Sequence, residues 1–462
     1  MSIIYKTFST PVYCYVYDRH TNKVLRISED EYSCLNNPGE MKQAVISKFQ
    51  KKGYLLDHNV TCIEHPLCNF VDHMQKNRLE FLLLQVTQDC NLRCKYCVYS
   101  GNYENRTHSL EEMDFDLAKR SIDFFVERTS EVPEITLGFY GGEPMLRMDL
   151  IKQCVSYIKS QVPDKKIRFN MTTNGTLLSV NNARYLYEND FSIMISLDGD
   201  EESHNINRIF KANGKGSFEV IMRNLKRIRD EIPEFIGNVS FNTVLNHNTD
   251  YSCVKDYFNT NEVVQDATYI FNLVDTDHSV SDISFSEEFI TAFKYDYFLT
   301  LLLMLGKCDR KLVPTTYHRS IVQLQDFYRL VKESSPLPET CHHNGPCVPG
   351  ARRLFVSATG KFYPCERVPE AKATQIGDID HGLNLEKSRE ILNIGNITSE
   401  SCKNCWALRI CDQCVSKAVR NGEISGEAKL CHCAGSRSDA LDKLKVICML
   451  NEEKYEFEED WQ

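Results

Sequence analysis

Cys90, Cys94 and Cys97 stand in the segment LLLQVTQDCNLRCKYCVYSGNY, with three and then two residues between them. Three thiolates on so short a loop can ligate three irons of a cubane [4Fe–4S] cluster and leave the fourth iron without a protein ligand. Three thiolates and a water also suit Zn²⁺, so spacing alone keeps both metals open. The chain holds 20 cysteines in 462 residues. In a small secreted domain such a number would signal a disulfide framework. Here the chain is long, its start lacks the basic and apolar regions of a signal peptide, and the thiols cluster with C-x-x-C spacing. That is the pattern of metal ligands or redox groups.

Three further motifs follow apolar runs: Gly141-Gly142-Glu143-Pro144, Thr172-Thr173-Asn174-Gly175 and Ser196-Leu197-Asp198-Gly199. Singly, each is a turn or a helix cap. In this order behind the C-x3-C-x2-C loop, whose third cysteine follows the aromatic Tyr96, they make the chain resemble the radical SAM superfamily. The resemblance implies S-adenosylmethionine (SAM) chelated on the open iron and cleaved by one electron to methionine and a 5′-deoxyadenosyl radical. It places Tyr96 near the adenine and Gly141, Gly142 and Glu143 near the amino group. It assigns Thr172, Asn174, Ser196 and Asp198 to ribose and methionyl contacts. Arg208, in DGDEESHNINRIFKANGKGSF, becomes the partner of the methionine carboxylate, since guanidinium pairs well with carboxylates; the plain alternative is a structural ion pair.

A second array lies downstream: Cys341, Cys347, Cys365, Cys402, Cys405, Cys411, Cys414, Cys431 and Cys433. Its core, C-x2-C-x5-C-x2-C, resembles the SPASM extension of radical SAM enzymes, although zinc ribbons share such spacing. The resemblance implies two auxiliary [4Fe–4S] clusters, three in all. One would use Cys341, Cys347, Cys365 and Cys414; if Cys341 is not a ligand, an iron is left open for a substrate thiolate. The other would use Cys402, Cys405, Cys411 and either Cys433 or Cys431, with Cys433 preferred. Two residues, not the family's three, separate Cys411 from Cys414, which puts Cys414 in question. Glu366, directly after Cys365, stands where sulfatase-maturing relatives have an Asp proposed as base. It is a candidate general base, or else the salt-bridge partner of Arg367 or Arg352.

Elements must hold these loops in place. Apolar runs at Phe81–Val86, Ile135–Tyr140, Ile167–Met171, Ile193–Leu197, Val239–Leu245 and Tyr269–Val274 alternate with helical periodicities such as Phe115–Glu127, Leu150–Lys159 and Val220–Ile232. The expectation is an α/β fold, a partial (β/α)6 TIM-like barrel over residues 79–310 with its chemistry at the strand C-terminal ends. Residues 1–78 read as a winged-helix-like α+β module: strands at Val12–Tyr17 and Val24–Ile27, a capping box at Ser28–Glu31, a helix over Met41–Lys51, a strand-like Tyr54–Leu56 and a linker over Pro66–Asn77. Residues 311–435 form the Cys-rich Fe–S domain. A helix and an acidic tail fill 436–462. The apolar stretch Tyr297–Gly306 is about half a bilayer span and reads as a buried helix.

The hydrophobic content of 42%, charged content of 26% and net charge of −10 describe a globular chain and give no electrostatic reason for nucleic acid or an acidic membrane as partner. The expected location is cytoplasmic. The first module resembles the leader-recognition domain of ribosomal-peptide maturases, which captures a leader as an added β-strand. The resemblance therefore implies a radical SAM maturase that installs a crosslink, foremost a Cys thioether, in a precursor peptide with a leader. Its electrons would come from a low-potential donor such as flavodoxin or ferredoxin. Competing readings are C–C or C–O crosslinking, formylglycine formation in a sulfatase, and a non-catalytic Fe–S or Zn peptide-binding scaffold.

Overall fold

A computed structural model describes residues 3–57, 60–103, 106–247, 249–265, 267–275, 284–313 and 318–457. The end of the acidic tail read at the C-terminus lies outside these residues.

The chain begins with an antiparallel sheet in the order β1 (Tyr5–Ser9), β2 (Cys14–Asp18), β3 (Lys23–Ile27). The capping box is present: Glu31 N donates to Ser28 Oγ and Ser28 N donates to Glu31 Oε2, starting α1 (Glu29–Asn36). Then comes α2 (Glu40–Gln50). Tyr54–Leu56 is irregular where a strand was expected, because Leu55 N is spent on Asp18 Oδ2 at 3.2 Å. A short β4 (Cys62–Ile63) leads to α3 (Val71–Asn77), in the segment expected to be a linker. This segment is anchored: Val71 is buried, and Gln75 Nε2 donates to Pro349 O at 2.9 Å and Ser388 Oγ at 2.8 Å.

The next run builds the barrel, each strand followed by a helix: β5 (Phe81–Thr87), α4 (Phe115–Val126), β6 (Glu134–Gly141), α5 (Met148–Gln161), β7 (Lys166–Thr173), α6 (Val180–Glu188), β8 (Phe191–Ser196), α7 (Glu201–Asn205), α8 (Phe218–Glu231), β9 (Val239–Leu245), α9 (Tyr251–Thr260) and β10 (Thr268–Leu273). β5 to β10 pair in parallel in that order. Side chains alternate across the sheet, and Phe139, Phe169 and Phe191 stack across three neighbouring strands at 5.1 and 6.0 Å. α10 (Glu287–Met304) closes the series. Its apolar run from Tyr297, expected to be buried, is only half-buried, with Phe298 52% exposed.

The C-terminal part is not separate from the barrel. After α11 (His318–Lys332) and β11 (Thr340–Cys341), which pairs with β4, β12 (Arg353–Val356) joins the outer side of β5 in parallel. β13 (Lys361–Tyr363), β14 (Gly377–Asp378) and β15 (Gly382–Leu383) continue the sheet antiparallel. The chain ends in α12 (Leu385–Leu392), α13 (Ser399–Lys403), α14 (Gly426–Cys431) and the long α15 (Cys433–Glu452). β1 and β2 pack Phe8, Tyr15 and Tyr17 into one core with Leu324, Phe327, Ala407 and Leu444, so the first module shares its core with the C-terminal helices. Among the described residues no helix is long and apolar enough to cross a membrane.

Candidate functional site

The ladder between β5 and β6 slips its register between Gln85 and Thr87, releasing the chain into the loop that carries Cys90, Cys94 and Cys97. Gly141 and Gly142 explain themselves here. A Cβ on Gly142 would lie 2.1 Å from Asp89 O, and one on Gly141 2.0 Å from Thr87 O. Their backbone instead abuts that loop, with Gly142 N donating to Thr87 O and Glu143 N to Asp89 O, both at 2.9 Å. The glycines expected beside a ligand are thus also the buttress of the cysteine loop.

Glu143 is fully buried. Its carboxylate accepts from Met145 N at 3.0 Å, Thr173 Oγ1 at 2.6 Å and Asn174 N at 2.7 Å, and burial holds its pKa above the ordinary value. Asn174 reaches back to the loop: its Nδ2 donates to Asn91 Oδ1 at 2.8 Å and lies 3.8 Å from Cys90 Sγ. At the end of β8, Asp198 accepts from Arg208 Nε at 2.9 Å, Arg208 Nη2 at 3.2 Å and Val244 N at 3.0 Å, and from the Tyr96 hydroxyl. Arg208 also lies over the Tyr96 ring, with Nη1 4.0 Å from Cys94 Sγ. Arg208 therefore already has a carboxylate partner. Contact of Glu143 or Asp198 with a bound ligand would have to exchange bonds that now lock the loop in place.

Burial pushes the Cys90 and Cys94 thiols up to about 12, and Cys97 upward as well. Left alone these thiols stay protonated; a bound metal takes them as thiolates. Among the described residues no three His, Cys, Asp or Glu side chains close on a point that one metal ion could fill. A cubane spreads its ligands over separate corners, and an all-sulfur donor set on one buttressed loop fits it.

Beside the triad a cavity of about 680 Å³ opens at the strand ends. Its walls are Tyr140, Thr172, Met194, Asn242 and Asn272 from β6 to β10, and Glu366 and Lys417 from the C-terminal part. Ser196, at the end of β8, is buried and does not line it. Glu366 is paired neither with Arg367 nor with Arg352: Arg353 Nη1 lies 2.9 Å from both of its oxygens. A larger groove, about 970 Å³, lies over residues 372–397 and 423–424 and includes none of the strand ends.

Several residues here gave no sequence signal or only a faint one. Asn242 and Asn272 are joined by a 2.6 Å hydrogen bond; each is a polar interruption in an apolar strand, which could have marked them. Arg106 had no such mark. Its guanidinium donates to Glu366 O and Val368 O, at 2.7 and 2.5 Å, and bridges from the triad's loop to the segment after Cys365.

The downstream cysteines fall into two sets. Cys365 lies within electrostatic reach of Cys347 and Cys414, and Cys347 of Cys414. A Cβ on Gly345 would meet Gln413 O at 2.0 Å, so the two loops that bear Cys347 and Cys414 touch backbone to backbone. Cys341, expected in this set, is carried by β11 into a cluster with Cys402, Ile63 and Leu408. Cys402, Cys405 and Cys411 are neighbours in turn. Gln413 Nε2 points to Cys433 Sγ at 3.7 Å, whereas Cys431 is exposed. Both sets offer the all-thiol donors that an iron–sulfur cluster takes.

The Radical SAM superfamily matches residues 84–259. A cysteine-type anaerobic sulfatase-maturating enzyme of Clostridium novyi (strain NT) is 28% identical over 346 residues, 72% of this chain and 86% of that protein. The radical SAM cyclopropyl synthase TigE of Paramaledivibacter caminithermalis is 22% identical over 410 residues, 83% of this chain and 78% of its own. A solved structure, native anSMEcpe with bound AdoMet and Kp18Cys peptide, shares the fold at a TM-score of 0.58 and 20% identity over 80% of this chain and 99% of that one. With the buttressed cysteine loop and the strand-end motifs, these likenesses place a radical SAM domain at residues 84–259 of an enzyme similar to SPASM-type maturases, and that superfamily implies a [4Fe–4S] cluster and SAM.

Proposed function

We propose that this enzyme matures a ribosomally synthesised precursor peptide by installing an intramolecular crosslink, foremost a thioether from a Cys sulfur to a carbon. The observation that carries the reading is the set Cys347, Cys365 and Cys414, close in sequence to the cavity walls Glu366 and Ser416, while Cys341 packs with Cys402. Three thiolates would leave one corner of an auxiliary cluster for a substrate thiol.

SAM bound on the first cluster would supply the hydrogen-abstracting 5′-deoxyadenosyl radical. The chain's own residues do the rest. Thr172 and the Asn174 backbone would hold the cofactor at the strand ends. Arg208, steadied by Asp198, keeps a cation beside Cys94. Tyr96 offers its ring to the adenine. Asn242 and Asn272 present amides to the peptide. Glu366, held by Arg353, accepts the thiol proton. The crosslink removes one hydrogen atom from carbon and one proton from sulfur, and a cluster held by the downstream cysteines would be the acceptor for the one electron left over. In this reading there are three clusters, and electrons enter from a flavodoxin or ferredoxin. The leader adds as a strand on an edge of the first sheet, whose edges are β1 and β3. A groove of about 580 Å³ by Tyr13, Arg26 and Glu29 gives its side chains room.

The likeness to cysteine-type sulfatase-maturating enzymes favours formylglycine formation as a second reading. One experiment separates the two: anaerobic reconstitution, SAM, dithionite, and mass spectrometry of a Cys-containing precursor encoded beside the gene. A thioether leaves the sulfur in place and removes two hydrogens; formylglycine loses the sulfur. An unchanged peptide with 5′-deoxyadenosine formed would sink the peptide assignment. No 5′-deoxyadenosine would sink both readings.

A further inference from the structure

The two sets of downstream cysteines sit in opposite electrostatic settings. Cys365 feels the Glu366 carboxylate, and Cys347 feels Arg353 and Arg352. The set of Cys402, Cys405 and Cys411 is ringed by cations. Lys429, only 1% exposed, donates its Nζ to Thr398 Oγ1 at 3.1 Å and lies 3.7 Å from Cys402 Sγ, within reach of Cys411 too. Arg437 lies within electrostatic reach of the Cys405 thiol. Arg19, 2% exposed, comes from the turn after β2 and places Nη1 2.5 Å from Lys403 O and 3.4 Å from Cys405 O. Arg409, within reach of Cys341, spends its donors on His20 O, Ser335 O and Ser335 Oγ.

Asp18 is close in sequence, but its carboxylate is taken by His20 N, Thr21 Oγ1 and Leu55 N. Asp412 weighs against the cations at Cys411, while Asp18 acts on Arg19 and Arg409, and Glu333 on Arg409, without an ion-pair contact. Among the described residues neither Lys429 nor Arg19 has a carboxylate within ion-pair distance. A buried cation without a counter-charge is expensive, so the fold must supply an anion here. The groups available are the thiols. Four thiolates around a [4Fe–4S] core carry net negative charge and would satisfy that demand.

We propose that Lys429 and Arg19 are positioning residues for an auxiliary cluster on Cys402, Cys405, Cys411 and Cys433. By stabilising its added negative charge on reduction they make it the more easily reduced auxiliary site. It is then the place where the electron left by the substrate comes to rest. One of the two cations belongs to the first module, so that module completes the environment of the acceptor. This rests on the two-auxiliary-cluster reading above.

The test uses the full chain, reconstituted anaerobically, with iron and sulfide counted first and reduction followed by EPR against potential, without SAM or peptide. Lys429→Met and Arg19→Met each move one auxiliary midpoint to a more negative potential and leave the other signals in place; Lys429→Arg and Arg19→Lys keep it near the parent's. Selective loss of one cluster's iron in the Met variants, restored in the Lys and Arg variants, supports the same assignment. Unmoved midpoints at full iron content overturn it, as do equal shifts in all signals or equal loss of all clusters. A parent protein with iron for a single cluster, or with zinc downstream, removes the reading beneath it and is told apart by the metal count.

Discussion

Glu143 shows how one side chain can serve a cysteine loop it does not belong to. Its two oxygens take three donors, two of them backbone N–H groups, and water has no access to any of them. Glu143→Gln keeps the shape but turns one acceptor into a donor facing Thr173 or Asn174. A buried donor set against a donor costs about 1–3 kcal/mol. Chemical denaturation should read that loss, together with slower retention of the first cluster after reconstitution; unchanged stability would mean that the polar contacts are not what holds the turn. Gly142→Ala acts on the same contact from the backbone side. Its Cβ would sit 2.1 Å from Asp89 O, so Thr87–Asp89 must move. The expected outcome is far-UV circular dichroism close to the parent's with iron lost from the triad. Full iron content in this variant would show that the loop tolerates displacement.

At the scale of elements, the sequence carried the six barrel strands because both periodicities were strong. β9 alternates buried and half-buried positions, and β5 is apolar nearly throughout. β1 was missed because a five-residue strand at a terminus has no flanking signal. β12, only four residues long, could not be read as the barrel's neighbour, since its pairing with β5 spans more than 250 residues of intervening chain. The surroundings of Cys341 were not legible for the same reason: spacing says which thiols are near in the chain, whereas the pairing of β4 with β11 sets it beside Ile63 and Cys402. The motifs at the strand ends were legible as residues, but not their partners, such as the Asp198–Arg208 pair. α7 gives an example with a testable consequence. It buries His204, whose Nδ1 accepts from Asp198 N at 3.2 Å and whose Nε2 faces Ser217 Oγ at 2.9 Å. Burial lowers its pKa to about 3, against about 6.5 when unfolded. The folded state therefore resists a proton that the unfolded state accepts. The contribution is complete above pH 6.5 and is lost as pH falls from there towards 3. The slope is about 1.4 kcal/mol per unit, so roughly 2 kcal/mol goes between pH 6.5 and 5. His204→Asn, which retains an acceptor for Asp198 N, should flatten that part of the stability curve. Equal acid sensitivity in the two proteins would assign the loss to other groups.

For the molecule as a whole, the question is whether the first module is an appendage or a structural part. An appendage would bury its own apolar side chains. Instead one face of its sheet packs Ile27, Leu35, Ile46 and Phe49 internally, and the other gives Phe8, Tyr15 and Tyr17 to a core completed by α11, α15 and the Ala407–Ile410 turn. Tyr17 meets Trp406 edge to face at 6.1 Å, and its hydroxyl donates to Asn22, whose amide in turn donates to Leu330 O and Glu333 O. Tyr15 donates to Glu452 at 2.6 Å, at the far end of α15. A shared core unfolds as a unit, because neither part can keep its apolar surface from water when the other leaves. Phe8→Ala tests this. Emptying a fully packed Phe site costs about 3–5 kcal/mol. If the core is common, hydrogen exchange should rise over α11 and α15 as well as over β1 to β3, while β7 to β9 stay protected. If exchange rises in the sheet alone, the module folds by itself, and the Arg19 contact near Cys405 becomes a docking contact rather than part of one core.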